Sequence, residues 1–258
     1  MKGIWGSPWT GQHGLGHFIS FFKSFYFIRI LKNTLIISLS TLAVTFPAPI
    51  ILALLLNEVR NKKFKKCVQT LSYMPHFISL VVICSMIRLF VADNGIVTGL
   101  LKSLGIVDGT YSLLSVPNYF VAIYVISGLW QTVGWDAIIY ISALSGIDQG
   151  LYEAARIDGL SEFKIFLTIF MPTMKSTYAA ALTVTFMNAW NNYLWPKVIM
   201  MSDTSQTMPM LVANLSVGYS IDYGVLMLGV LICSLPTGIL FLVLQKSFAN
   251  GIVGAVKG

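Results

Sequence analysis

Five charged side chains, Glu153, Arg156, Asp158, Glu162 and Lys164, fall within one twelve-residue window of the stretch LYEAARIDGLSEFKIFLTIFMP, residues 151–172. Only 10% of the whole chain is charged. Carboxylates interleaved with a guanidinium and an ammonium suit ion pairing with a polar partner surface. They do not form the paired-carboxylate arrangement that acid–base catalysis needs. No GxSxG or HExxH pattern is present. A GxxxxGK[ST] phosphate loop is also absent, so this chain has no means of hydrolysing ATP by itself. Cys67, Cys84 and Cys233 are far apart, with no CxxC pair or His/Cys cluster. That pattern indicates neither a metal site nor a disulfide framework.

A second group of residues suits sugar recognition. Asn188, Trp190 and Asn191, with Asn192, Tyr193 and Trp195, make a band rich in amides and aromatic rings. Sugar hydroxyls bond to amides, and their C–H faces stack on rings. An aromatic belt at a membrane interface, with amides bonding between helices, is the alternative reading. Asp136, in WQTVGWDAIIY, is an ionisable group in an apolar stretch, which marks either a transport pathway or a helix end near an interface. His76 reads as a helix-start residue, and Arg88 as a side chain that snorkels outward.

The elements that must position these residues follow from composition. The chain is 56% hydrophobic, with a mean hydropathy of +0.76. Such a chain cannot cover a water-facing surface, and a bilayer is its natural solvent. The net charge of +7 does not signal nucleic-acid binding, because the basic residues sit between apolar runs. Five runs are long enough to span: about 33–56, with Pro47 and Pro49 expected to kink or break it; 76–92; 118–144; 173–201; and 223–244, with Pro236 inside. The predicted fold is an all-α integral membrane bundle of about five transmembrane helices over 33–245, in one domain.

Basic residues orient it. Arg60, Lys62, Lys63, Lys65 and Lys66 place the first connection in the cytoplasm. Alternation then puts 1–32 outside as an extracytoplasmic segment, 148–172 inside as a loop, and the tail 246–258 inside. A short amphipathic helix is expected within 94–105. Within 151–172, Leu151, Ala154, Ala155 and Asp158 share a helical face, Gly159 suits a helix end, and Ser161 suits the next cap. The loop therefore reads as helix–turn–helix. Its charges either solvate an ordinary amphipathic connection or dock a soluble partner.

Glu153, Ala154, Ala155, Gly159, Ile169 and Pro172 lie at the spacing of the EAA loop (EAA, three residues, G, nine residues, I-x-L-P). The chain thereby resembles the permease subunits of bacterial ABC importers, with Met171 in place of leucine. The front, with FPAPIILALLLNEVRNKKFKKC, resembles the first permease partner of oligosaccharide importers. The back, with FMNAWNNYLWPKVIM and QKSFANGIVGAVKG, resembles the second, maltose-type partner. A mosaic junction near 147–159 is expected from this split.

The resemblance implies a carbohydrate permease subunit in the bacterial inner membrane, importing sugar by alternating access. It implies coupling through Glu153, Ala154, Ala155, Asp158, Gly159, Ile169 and Pro172 to a separate ATPase dimer that holds ATP and Mg. It implies a second permease subunit, an extracytoplasmic sugar-binding protein and surrounding membrane lipid as partners. Asn250, Gly251, Gly254 and Lys257 match the tail that reaches between the ATPase subunits. The family's first subunit carries a further span before the region matching Met1–Thr10. The alternatives are a secondary transporter or channel, or a recombined or truncated permease without transport activity.

Overall fold

Long apolar stretches without charge leave the backbone one way to satisfy its hydrogen bonds in hydrocarbon, which is to coil on itself. The computed structural model describes residues 16–256 apart from 25, 201–204 and 218–220, and the described residues form helices joined by turns, without strands. The first apolar run forms the helices Phe27–Thr45 and Pro47–Glu58, which together make one 32-residue span. Pro47 begins the second segment, where its missing N–H costs nothing. The helix starts six residues earlier than the sequence suggests, so Arg29 and Lys32 lie on it. Residues 1–15 of the expected extracytoplasmic segment lie outside the described residues.

The second expected span is corrected. The basic stretch read as a loop is the helix Lys62–Tyr73, capped by Asn61, whose side chain accepts from the amides of Lys63 and Phe64. Pro75 then forces a 3₁₀ turn, Met74–Phe77. The helix Leu80–Phe90 has only 11 residues, about 16 Å, too short to cross a bilayer core alone. By length and composition, two described helices can cross a membrane, Phe27–Glu58 and Tyr223–Gln245. Two bent pairs, Lys62–Phe77 with Leu80–Phe90 and Glu162–Thr173 with Lys175–Ile199, make four if each pair is one span. The third expected span is the helix Pro117–Ser145. At 29 residues it has the length, but Gln131 and Asp136 dilute its hydropathy below that of the other two. The last span is Tyr223–Gln245, and its helix continues to Val256.

The chain divides into two compact units. The first comprises Met1–Ser40, Leu80–Tyr124 and Met187–Ile239. Its apolar centre joins Phe21, Phe27, Ile30, Met208 and Leu228. Hydrogen bonds between segments hold it where water cannot compete. The Met208 amide donates to Thr34 Oγ1 (2.8 Å), Ser38 Oγ to the Ala189 carbonyl (3.2 Å) and Trp190 Nε1 to the Cys233 carbonyl (2.9 Å). The expected amphipathic helix is Ile96–Ser103, with Lys102 paired to Asp93 at 2.7 Å.

The second unit comprises Thr41–Ser79, Val125–Phe186 and Leu240–Gly258. Ala53, Ala137, Tyr140, Leu144, Ala155, Ile165, Phe170 and Met174 form its core. The small residues among them allow close helix packing. The Ser72 carbonyl occupies the place of a side chain at Gly134. Many large apolar side chains, among them Leu55, Ile126, Leu242 and Val243, are exposed, as lipid-facing surfaces require.

Candidate functional site

The charged loop folds as its sequence suggests, with a different division of faces. Asp148 caps the helix Gln149–Ile157, its Oδ1 accepting from the Gly150 amide at 2.9 Å. At the other end Gly159 takes φ +75°, a left-handed value that suits glycine. The Gly159 amide donates to the Arg156 carbonyl and the Leu160 amide to the Ala155 carbonyl, both at 3.1 Å. That pair of bonds is a Schellman ending. The helix Glu162–Ile165 follows, and Ser161 occupies its cap position with no side-chain cap hydrogen bond.

Pro172 shapes what comes next. In a regular α-helix its ring would collide with the carbonyl four residues back. The chain instead widens into a π turn at Phe166–Phe170, closed by the Met171 amide donating to the Phe166 carbonyl. The short helix Met171–Thr173 leads onward to Lys175–Trp190.

Of the expected contact residues, Glu153, Ala154, Asp158, Gly159 and Pro172 are exposed. Ala155 is not on that face: it turns inward, 6% exposed, into the core of its unit. Ile169 is half-buried and packs against the same core. The sequence reading also missed part of the face. Ile157 is 86% exposed, and Phe163 and Leu151 are exposed beside the charges. Their signal was present, since Ile157 stands outside the apolar stripe of its helix.

Arg156 is exposed, and its guanidinium is paired within the chain. Its Nε and Nη2 both donate to Glu162 Oε1, at 2.9 and 2.5 Å, and Nη2 lies 3.5 Å from Glu58 Oε2. The Tyr152 hydroxyl sits 2.8 Å from Glu58 Oε1 and 3.0 Å from Glu162 Oε2. The guanidinium lies over the Tyr152 ring at 4.9 Å, and that ring stacks on Phe170 at 5.8 Å. The hydrogen bonds from Arg156 hold the Glu162 carboxyl below the usual carboxylate range. Burial first, and then the two carboxylates, push the Tyr152 phenol well above its ordinary value. Beside this cluster lies a polar cavity of about 600 Å³, lined in part by Glu58, Arg60, Lys65, Asp148 and Glu153.

Asp136 lines a cavity of about 210 Å³ with Pro49, Trp135, Tyr140 and Val184. The His76 imidazole stacks on Trp135, ring centroids 4.4 Å apart. Asn188 and Asn191 are exposed in the first unit. Trp190 is not exposed with them: it is 3% exposed and donates to the Cys233 carbonyl, a structural contact. Asn250, Gly251 and Gly254 lie on the last helix, and Lys257 lies outside the described residues. No group of three or more His, Cys, Asp or Glu that could hold a metal occurs among the described residues.

Residues 45–254 match a protein family described as binding-protein-dependent transport system inner membrane component. The chain is 41% identical over 181 residues to the polygalacturonan/rhamnogalacturonan transport system permease protein YteP of Bacillus subtilis (strain 168), covering 70% of this chain and 55% of that protein. It is 44% identical over 107 residues to the lactose transport system permease protein LacG of Rhizobium radiobacter, covering 42% of this chain and 39% of that protein. The chain thus spans about half the length of the first of these relatives and less of the second. Its fold matches a crystal structure of a bacterial alginate ABC transporter in complex with alginate pentasaccharide-bound periplasmic protein. The TM-score is 0.81 at 28% identity, over 93% of this chain and 84% of that one.

Proposed function

The chain belongs to the family of binding-protein-dependent transport system inner membrane components, and from that premise we propose that it is a permease subunit of an ATP-driven sugar importer. The observation that carries the reading is the loop 151–172. It keeps the family spacing of Glu153, Gly159 and Pro172, and it presents Leu151, Glu153, Ala154, Ile157, Asp158 and Phe163 on an exposed surface. A face of apolar and small side chains rimmed by charge is what a docked soluble subunit needs.

In this reading the loop docks on a separate ATPase dimer that holds ATP and Mg. A second permease chain completes the pathway, and an extracytoplasmic binding protein delivers the sugar. Closure of the ATPase pair pushes the loop, and the bundle alternates its access. Asp136, Asn188 and Asn191 are the polar groups offered to sugar hydroxyls. The end of the last helix, with Asn250, Gly251, Gly254 and Lys257, reaches toward the ATPase pair. Oligosaccharides derived from polysaccharides such as polygalacturonan, rhamnogalacturonan or alginate are the substrate class, by likeness to the relatives' named cargoes. The front and back halves favour different permease partners, and co-expression with each class measures which half sets the pairing.

The test is Gly159→Asp. A side chain at φ +75° strains the turn that aims the helix. Insertion in the membrane stays intact, while co-purification with the ATPase subunit and ATP-coupled uptake are lost. Undiminished association and uptake would overturn the proposal.

A further inference from the structure

Glu58, Tyr152, Arg156 and Glu162 belong to three separate segments, yet their polar atoms meet at one point. Glu58 is the last residue of the helix Pro47–Glu58, at the end of an apolar span. Tyr152 and Arg156 lie one turn apart on the helix Gln149–Ile157. Glu162 opens the helix that follows the Gly159 turn. Single ion pairs at this exposure contribute little to stability. A network that fixes one orientation acts differently, because each contact removes a separate freedom of the loop helix. Arg156 ties it forward to Glu162, and Tyr152 ties it to Glu58 and Glu162. The packing of Tyr152 on Phe170 ties it to the π turn.

We propose that Glu58, Tyr152, Arg156 and Glu162 form a brace that locks the loop helix Gln149–Ile157 to the end of the first span, so that the two move as one body. Tyr152 is the central member of this brace. Its hydroxyl has one proton and two carboxylate acceptors within 3.0 Å, so it donates to one acceptor at a time. All four are positioning residues, because none lies on the exposed apolar face of Leu151, Ile157 and Phe163.

The inference rests on the docking role proposed for the loop, and the test separates the two. Amide hydrogen exchange over 149–158 is measured on the full chain in lipid nanodiscs, with no ATPase present. Arg156→Gln and Tyr152→Phe each raise exchange there by about tenfold, as expected when a local opening loses its restraint. Arg156→Lys, which keeps the charge and one donor, restores most of the protection. In the assembled importer, the two disruptive variants still co-purify the ATPase but move fewer sugars per ATP hydrolysed. Exchange that is unchanged in both variants overturns the brace, as does a sugar-to-ATP ratio equal to wild type. If Gly159→Asp leaves the ATPase bound, the docking role fails, and the exchange measurement still decides the brace.

Discussion

The carbonyl of Ser72 fills the space that a side chain on Gly134 would occupy. The helix Pro117–Ser145 therefore meets the helix Lys62–Tyr73 backbone to backbone. Gly134→Ala forces the pair apart and costs about 1–3 kcal/mol. Gly128, on the same helix, has open space around it, so Gly128→Ala is neutral or stabilises by up to about 1 kcal/mol. Thermal unfolding of the two variants in detergent compares them directly. Equal melting temperatures would refute the close contact.

Ile157 is an apolar side chain with no intramolecular cover, 86% exposed. On the docking role proposed for the loop, Ile157→Asp leaves the fold and membrane insertion unchanged and weakens ATPase association by at least about tenfold, the scale of one anchor residue in an interface. Surface plasmon resonance with the ATPase subunit reads the loss. Ala155→Asp differs in kind, because it buries a charge in the core of its unit and lowers the yield of folded protein.

Trp190 is buried and hydrogen-bonded within the fold. Trp190→Phe removes its hydrogen bond to the Cys233 carbonyl and costs about 1–2 kcal/mol of stability. The KM for sugar stays within about twofold, the scatter expected away from a binding site. A KM that shifts severalfold at unchanged stability would return Trp190 to the pathway.

Acid and base loosen the loop helix from opposite sides. Arg156 depresses the Glu162 pKa, so the stabilisation from Glu162 is present above the ordinary carboxylate value and is lost as pH falls through the lowered one. Burial and the two carboxylates raise the Tyr152 pKa. Its share is present below the ordinary phenol value and is lost as pH rises through the raised one. Protection of the 149–158 amides, corrected for intrinsic exchange rates, is flat between these limits. Glu162→Gln removes the titration of Glu162 from the acid limb. An acid limb identical in the variant would show that Glu162 does not contribute.

How much of this was legible in the sequence depended on the range of the interactions. The loop was readable because its determinants are local: a helix stripe, the Gly159 stop and Pro172 all act within one or two turns. The bilayer as solvent followed from composition alone. The broken spans were not readable. Hydropathy counts apolar residues and does not register that Pro75 ends a helix and leaves 11 residues for the next one. The roles of Arg156 and Trp190 were hidden for another reason. Glu162, which takes both Arg156 hydrogen bonds, is only six positions away, but the Glu58 end of that cluster and the Cys233 partner of Trp190 lie 98 and 43 positions away in sequence, and no short window contains both ends of such a contact. Ala155 shows the limit of periodicity, since one residue of rotation separates a docking face from a packed one.

The π turn at Phe166–Phe170 holds one residue more than a regular helix needs. That surplus is slack within the short helical stretch Glu162–Thr173. A widened turn can slide along a helix by exchanging one carbonyl partner at a time, and each step rotates the residues it passes by about 100°. The helix that leads from the loop toward the membrane can thus change the direction its side chains point without breaking at either end. Pro172 sets where that travel stops, because it has no N–H to hand the bond onward.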